Sequence, residues 1–166
     1  MKNILRVLIF SLCLLYPFFS VPLLAKPIEG FNSISLENLG KAKEVSKNFL
    51  DAVKNNNYLD AYHLMAPVDY GLPTPAKPGE TIQQFKNALD KVLGEFSNYE
   101  FKSYKKISSQ GYSYLYLTYE IEYTNGLVDA YITIANFNNK ISVLAYQFMP
   151  QSLQLRKKFD QEFLGQ

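Results

Sequence analysis

The chain has 166 residues, enough for one globular domain and too few for a multidomain enzyme. Lys2 and Arg6 are its two excess cations, so beyond them acids and bases balance, and phosphate recognition, which needs clustered surplus cations, lacks a compositional basis. With one Cys, one His and no Trp, a zinc site of the usual His/Cys type cannot be built. Gly-rich phosphate loops, nucleophile elbows and Asp-rich calcium loops are also missing from the sequence, so no nucleic acid, metal or cofactor is expected.

Residues 1–25 have the layout of an export signal: Lys2 and Arg6 precede an apolar run from Val7 to Phe19, and Ala25 offers a small residue for cleavage. The run is shorter than the ~20 residues a spanning helix needs. Leu23 is larger than the preferred residue two places before the cleavage position, so an uncleaved anchor is the alternative. Cys13 follows Leu12, too bulky for a lipidation box, and is read as part of the leader. A chain cleaved after Ala25 holds no Cys and must be stabilised by its core in the periplasm or outside the cell. Such a chain has no stable membrane span.

Residues 26–35 carry Pro27, Gly30 and two Ser without periodicity and read as a flexible leader, leaving 36–166 as the domain. Leu36, Leu39, Ala42, Val45, Phe49, Ala52 and Val53 recur at steps of three and four, which predicts a first helix ended by Asn55 to Asn57. Tyr58 to Ala66 predicts a short second helix with Tyr58, Ala61, Tyr62 and Met65 inward. The prolines of 67–80 exclude a continuous helix there. Thr81 with Gln84 predicts a capping box for a third helix, whose Ile82, Phe85, Leu89 and Val92 face inward and which Gly94 stops.

Beyond Ser97 the period becomes two. Twelve aromatic residues, nine of them Tyr, lie between Tyr99 and Phe148 with β-branched residues among them. Strands are predicted at 99–107, 112–124, 127–136 and 140–148. Asn125-Gly126 suits a type I′ turn, which would pair Tyr123 with Val128, Ile121 with Ala130, Tyr119 with Ile132 and Leu117 with Ile134 on a core face. The other face would pair Glu122 with Asp129, Glu120 with Tyr131 and Thr118 with Thr133. Lys102 is expected to offset the acidic cluster of Glu120, Glu122 and Asp129. An odd loop or a bulge is needed to keep Tyr99 and Phe101 in the core. Gln151 to Leu164 reads as a closing helix with Leu155, Phe159 and Phe163 on one stripe.

The predicted class is α+β: three helices packed on a curved four-stranded antiparallel sheet, with a short C-terminal helix. The stretches Ala42 to Met65, Thr81 to Phe96 and Tyr116 to Ile134, with the step "NYLDAY", the Gly after the third helix and the hairpin "YTNG", resemble the nuclear transport factor two-like (NTF2-like, cystatin-like cone, SnoaL-like) superfamily. The likeness is greatest to small exported bacterial members of unknown function. The resemblance implies a pocket between helices and sheet; isomerase and dehydratase members place an acid or His there. His63, Asp69 and Tyr70 are the weak catalytic candidates on this basis, with Tyr62 beside them. The bland alternative is a solvent-facing His at a helix end and a turn-forming Asp. No catalytic motif transfers residue by residue.

The outer sheet face, with Tyr114, Tyr116 and Tyr131, is the candidate interaction surface, because a Tyr ring joins apolar area to a polar tip. Cover by the C-terminal segment is the alternative. Two readings follow. One is an exported non-enzymatic domain that binds a ligand or protein partner, with the sheet face available for a homodimer. The other is a small cavity-based isomerase or lyase. A pocket filled by Tyr and Phe rings favours the first, and an open one lined by His63 or Asp69 the second.

Overall fold

The computed structural model describes residues 30–67, 77–109 and 111–164. Expectations for the signal segment and for Asp69 and Tyr70 fall outside them. Among the described residues no helix is long and apolar enough to cross a membrane. The order is β1 (Phe31–Asn32), a 3-10 turn (Leu36–Asn38), α1 (Leu39–Lys54), α2 (Tyr58–His63), α3 (Glu80–Leu93), β2 (Phe96–Ser109), β3 (Tyr112–Tyr123), β4 (Gly126–Phe137), β5 (Lys140–Pro150) and α4 (Leu153–Leu164). This is the α+β arrangement predicted, with one strand more.

The additional strand corrects the leader reading for Phe31 to Ile34; residues 26–29 lie outside the described ones. Phe31 and Asn32 pair with Phe137 and Asn136 of β4, and the Ile34 amide donates to Ser113 O of β3 at 3.2 Å. Ile34 is buried in the core. Two residues are too few to show a period, so only their tertiary partners identify the strand.

Helix α1 buries Ala42, Val45, Phe49 and Val53 as its spacing requires, and Ser46 and Leu50 besides. Leu36 departs from the stripe: it lies in the 3-10 turn and is 52% exposed. Asn56, at φ 59°, turns the chain after α1. Helix α2 ends at His63, short of the predicted Ala66. The amide of Val143 donates to Leu64 O and the amide of Ala66 to Val143 O, so β5 takes groups a longer helix would use. Met65 still packs on the core, whereas Tyr62 is exposed. Helix α3 begins at Glu80 with no side-chain cap, so the Thr81 to Gln84 box does not form. Gly79 at φ 81° precedes it, where a Cβ would come within 2.5 Å of Tyr58 O.

The sheet runs β2, β3, β4, β5, each antiparallel to the next. A shift between Phe101 and Ser103 lets Phe101 face Tyr119 and Tyr99 face Ile121, so both rings pack on the core, as the required bulge predicts. The β3–β4 register lies two residues from the expected one. Tyr123 pairs with Gly126, Ile121 with Val128, Tyr119 with Ala130 and Leu117 with Ile132. A slip of two keeps every side chain on its face, and all eight predicted residues are buried.

The cause is tertiary. Thr124 N–H donates to Glu95 O and Asn125 N–H to Leu93 O, so the hairpin tip hydrogen-bonds to the end of α3, and neither residue takes positive φ. The paired positive φ of a type I′ turn occurs instead at Asn138 (48°) and Asn139 (62°), between β4 and β5.

Candidate functional site

Two regions compete as a site: the space between helices and sheet, and the sheet's outer face. In the first, Tyr146 of β5 lies 5.1 Å from Phe49 of α1 and 5.4 Å from Phe85 of α3, ring centre to ring centre. Phe148 lies 5.6 Å from Phe85 and 6.0 Å from Tyr146. Further along the same face, Tyr119 meets Tyr99 and Phe101. The hydroxyls lodge locally: Tyr119 Oη and Ser46 Oγ share a 2.5 Å hydrogen bond in the core, and Tyr99 donates to Asp51. Burial holds the Tyr146 hydroxyl well above the usual tyrosine range. Aromatic rings thus pack on one another between α1, α3 and β5.

His63 lies at the exposed end of α2, beside an open depression of about 450 Å³ that Asp51, Asn57 and Asp60 also line. Its backbone oxygen accepts from Lys140 Nζ at 3.2 Å and its ring touches Tyr62. Both carboxylates are held by other groups. Lys47 and Tyr99 bond Asp51, and Asn57 donates to Asp60. Burial opposes ionisation of Asp51, but the bonds from Lys47 and Tyr99 outweigh it and keep its pKa low. Among the described residues no cluster of His, Cys, Asp and Glu fit for a metal occurs.

The outer face is organised differently. Register sets Lys105, Tyr116 and Thr133 in one cross-strand row, Ser103, Thr118 and Tyr131 in the next, and Glu100, Glu120 and Asp129 in the third. Tyr116 and Tyr131 lie on the diagonal and stack, with centroids 5.5 Å apart and planes at 18°. Tyr114 packs edge-on to Phe31 at 6.1 Å, so the added strand widens the aromatic surface. All three tyrosines are half-buried and none belongs to the core. Helix α4 buries Leu155 and Phe159 in that core, and the charge of its Arg156 acts on the Tyr131 hydroxyl. Burial and then the neighbouring Tyr131 push the Tyr116 hydroxyl up to about 12; burial also raises those of Tyr114 and Tyr131.

The acidic row is partly compensated within the fold, one Lys against three carboxylates. Lys102 Nζ reaches Glu100 at 2.6 Å and Glu120 at 3.0 Å, the compensation its position suggests. Gln151, which sequence reasoning missed, donates to both Glu120 and Asp129 at 2.9 Å. Its amide bond and then Lys102 hold the Glu120 carboxyl below its ordinary range. The slipped register, which sets Glu120 opposite Asp129, is what creates a place for Gln151.

No family model and no curated protein matches the sequence. Solved structures do. The chain is similar to a protein of unknown function with a cystatin-like fold from Nostoc punctiforme, at TM-score 0.49 and 14% identity over 75% of this chain and 99% of that one. It is similar to an NTF2-like protein of unknown function from Shewanella baltica, at TM-score 0.46 and 10% identity over 73% and 99% of the two chains. A steroid delta-isomerase from Pseudomonas aeruginosa is also similar, at TM-score 0.40 and 10% identity over 75% and 89%. The first two are described as cystatin-like and NTF2-like, the group that the sequence resembles, and no activity carries over to this chain at such distances.

Proposed function

We propose that the chain is an exported binding domain that works through the outer face of its sheet, and that the occupant of this face is a second copy of the chain. The stacked Tyr116 and Tyr131 pair, set on the face away from the core, is the observation that carries the reading. Tyrosine suits such a surface because the ring gives contact area and the neutral hydroxyl can still bond. A two-fold interface needs a patch complementary to itself. Here the rows run from Lys105 through the tyrosines to Glu100, Glu120 and Asp129, so a second copy turned end for end sets each Lys105 towards the other's acidic end.

Binding is favoured over turnover in the interior because rings occupy the space between helices and sheet, and because His63 lies on the surface with both neighbouring carboxylates engaged. Light scattering on the protein purified from cells expressing the full chain tests the surface. A mass twice that of one chain is expected, falling to one chain in Tyr131→Lys with the circular dichroism unchanged. A single-chain mass for the unaltered protein at every concentration sinks the dimer. Export is tested separately by sequencing the N-terminus of the protein recovered from the cell envelope. Lys26 is the expected first residue, and retention of Met1 in the cytoplasm would contradict it.

A further inference from the structure

Strands β5 and β2 form the two long edges of the sheet, and they differ in occupancy. Val143 of β5 exchanges backbone hydrogen bonds with Leu64 and Ala66, whereas β2 pairs with β3 alone among the described residues. An edge in that state presents a row of N–H and C=O groups that another extended chain can use. Bulges interrupt β2 between Phe96 and Asn98 and between Phe101 and Ser103, but from Ser103 to Ser109 its register is unbroken.

Register fixes what an added strand meets along that stretch. Tyr104 and Lys106 lie opposite the core residues Leu117 and Leu115, so they take the inner side of the sheet, and Lys105 and Ile107 lie opposite Tyr116 and Tyr114 and take the tyrosine side. Tyr104 is 46% and Ile107 37% exposed. Both lysines are exposed, and no ion pair among the described residues uses either. Each side of the edge thus offers one large apolar side chain and one ammonium. An added strand runs about 4.8 Å from its neighbour, with Cβ atoms about 4.5–5.5 Å from those they face. Complementarity to Tyr104, Lys105, Lys106 and Ile107 therefore asks for apolar, acidic, acidic and apolar residues, an order that reads the same in either chain direction. A second copy does not supply it. Two β2 edges paired about Lys105 and Lys106 set lysine against lysine, which is unfavourable, and no two acidic residues adjoin anywhere in the sequence.

We propose that the open edge of β2 takes up, by strand addition, an extended segment of another protein with the order apolar, acidic, acidic, apolar. Main-chain hydrogen bonds hold the segment and the two lysines select its charge, since an exposed ion pair alone is worth too little to hold it. Edge lysines can also serve only to keep other strands away, and a guard of that kind would leave every peptide unbound. Tyr104 and Lys106 lie on the side away from the tyrosine face, so the edge is testable whether or not that face dimerises.

Fluorescence anisotropy on the full chain tests this with a fluorescein-labelled hexapeptide, Thr-Val-Glu-Glu-Val-Thr. Saturable binding with a Kd below about 1 mM is expected, about tenfold tighter than for Thr-Val-Lys-Lys-Val-Thr or for the reordered Thr-Glu-Val-Val-Glu-Thr. Successive amides of a strand point to opposite edges, so N-methylation of alternate amides along one edge of the probe should abolish binding, and along the other edge should leave it intact. Lys106→Glu should remove the preference for the acidic probe over the basic one, with the circular dichroism and the light-scattering mass unchanged. Absence of saturable binding, equal binding of the acidic and basic probes, tolerance of N-methylation on both edges, or an unchanged preference in Lys106→Glu would each overturn the proposal.

Discussion

The inner and outer faces of the sheet come from the same strands, often from adjacent residues. Leu115, Leu117 and Ile121 are fully buried, while Tyr114, Tyr116 and Glu120 next to them are only half-buried. The inner face owes its stability to apolar area and ring contacts with α1 and α3. The outer face is held by diagonal stacking and by a Lys102 and Gln151 brace on three carboxylates. The same alternation thus produces one face that is closed and another that stays half-exposed.

The sharpest test of that contrast is truncation on each side. Phe49 is fully buried against Tyr146, so Phe49→Ala removes a ring from a closed space and should cost about 3–5 kcal/mol in urea unfolding. Tyr131→Ala, measured on dilute protein, should cost less than about 1 kcal/mol. Equal costs would mean that the outer rings are core in all but position. Tyr119→Phe probes a polar joint inside the closed face. It removes the buried bond to Ser46, whose hydroxyl keeps its 3.0 Å bond to Lys43 O, and should cost about 1 kcal/mol.

Alkaline titration probes both faces together. Tyr116 has its folded pKa raised to about 12, above the ordinary tyrosine value of about 10, and burial also raises Tyr123 and Tyr146. Folding therefore favours the neutral phenols. Their contribution is complete below about pH 10 and is lost as pH climbs towards the folded values. The urea midpoint should be level up to about pH 10 and fall above it. Phenolate absorbance from the inner tyrosines should rise with the unfolding transition rather than before it. A midpoint that rose with pH in that window would reverse the assignment.

Much of the inner face was legible in the sequence because period and burial are the same statement there: Ala42, Val45, Phe49 and Val53 recur at helical steps, and Leu117 to Tyr123 alternate. The bulge that turns Tyr99 and Phe101 inward also followed, since without it two rings would point into water. What escaped depended on distant partners. The hairpin slipped by two because the α3 terminus hydrogen-bonds Thr124 and Asn125, and β1 exists only through β4 and β3. Lys86 escaped because a buried charge follows no apolar period. Gln151 escaped because its role exists only in the observed register.

The two hairpin tips carry that lesson into a measurement. Asn138 and Asn139 take positive φ, a conformation that costs a residue with a Cβ about 1–2 kcal/mol and that Asn tolerates best; the Asn138 amide donates to Gly30 O at 2.7 Å, whereas Asn139 sits at the turn itself. Asn139→Ala should cost about 1 kcal/mol, and Asn139→Gly little or nothing. At the other tip Asn125 has negative φ and is held by its N–H to Leu93 O, a backbone bond that Ala also makes. Asn125→Ala should therefore lose only the 3.3 Å side-chain bond to Val92 O and cost less than Asn139→Ala. The reverse ranking would mean that the Asn-Gly tip is governed by its own turn preference after all, and that the docking of α3 follows from the hairpin instead of setting it.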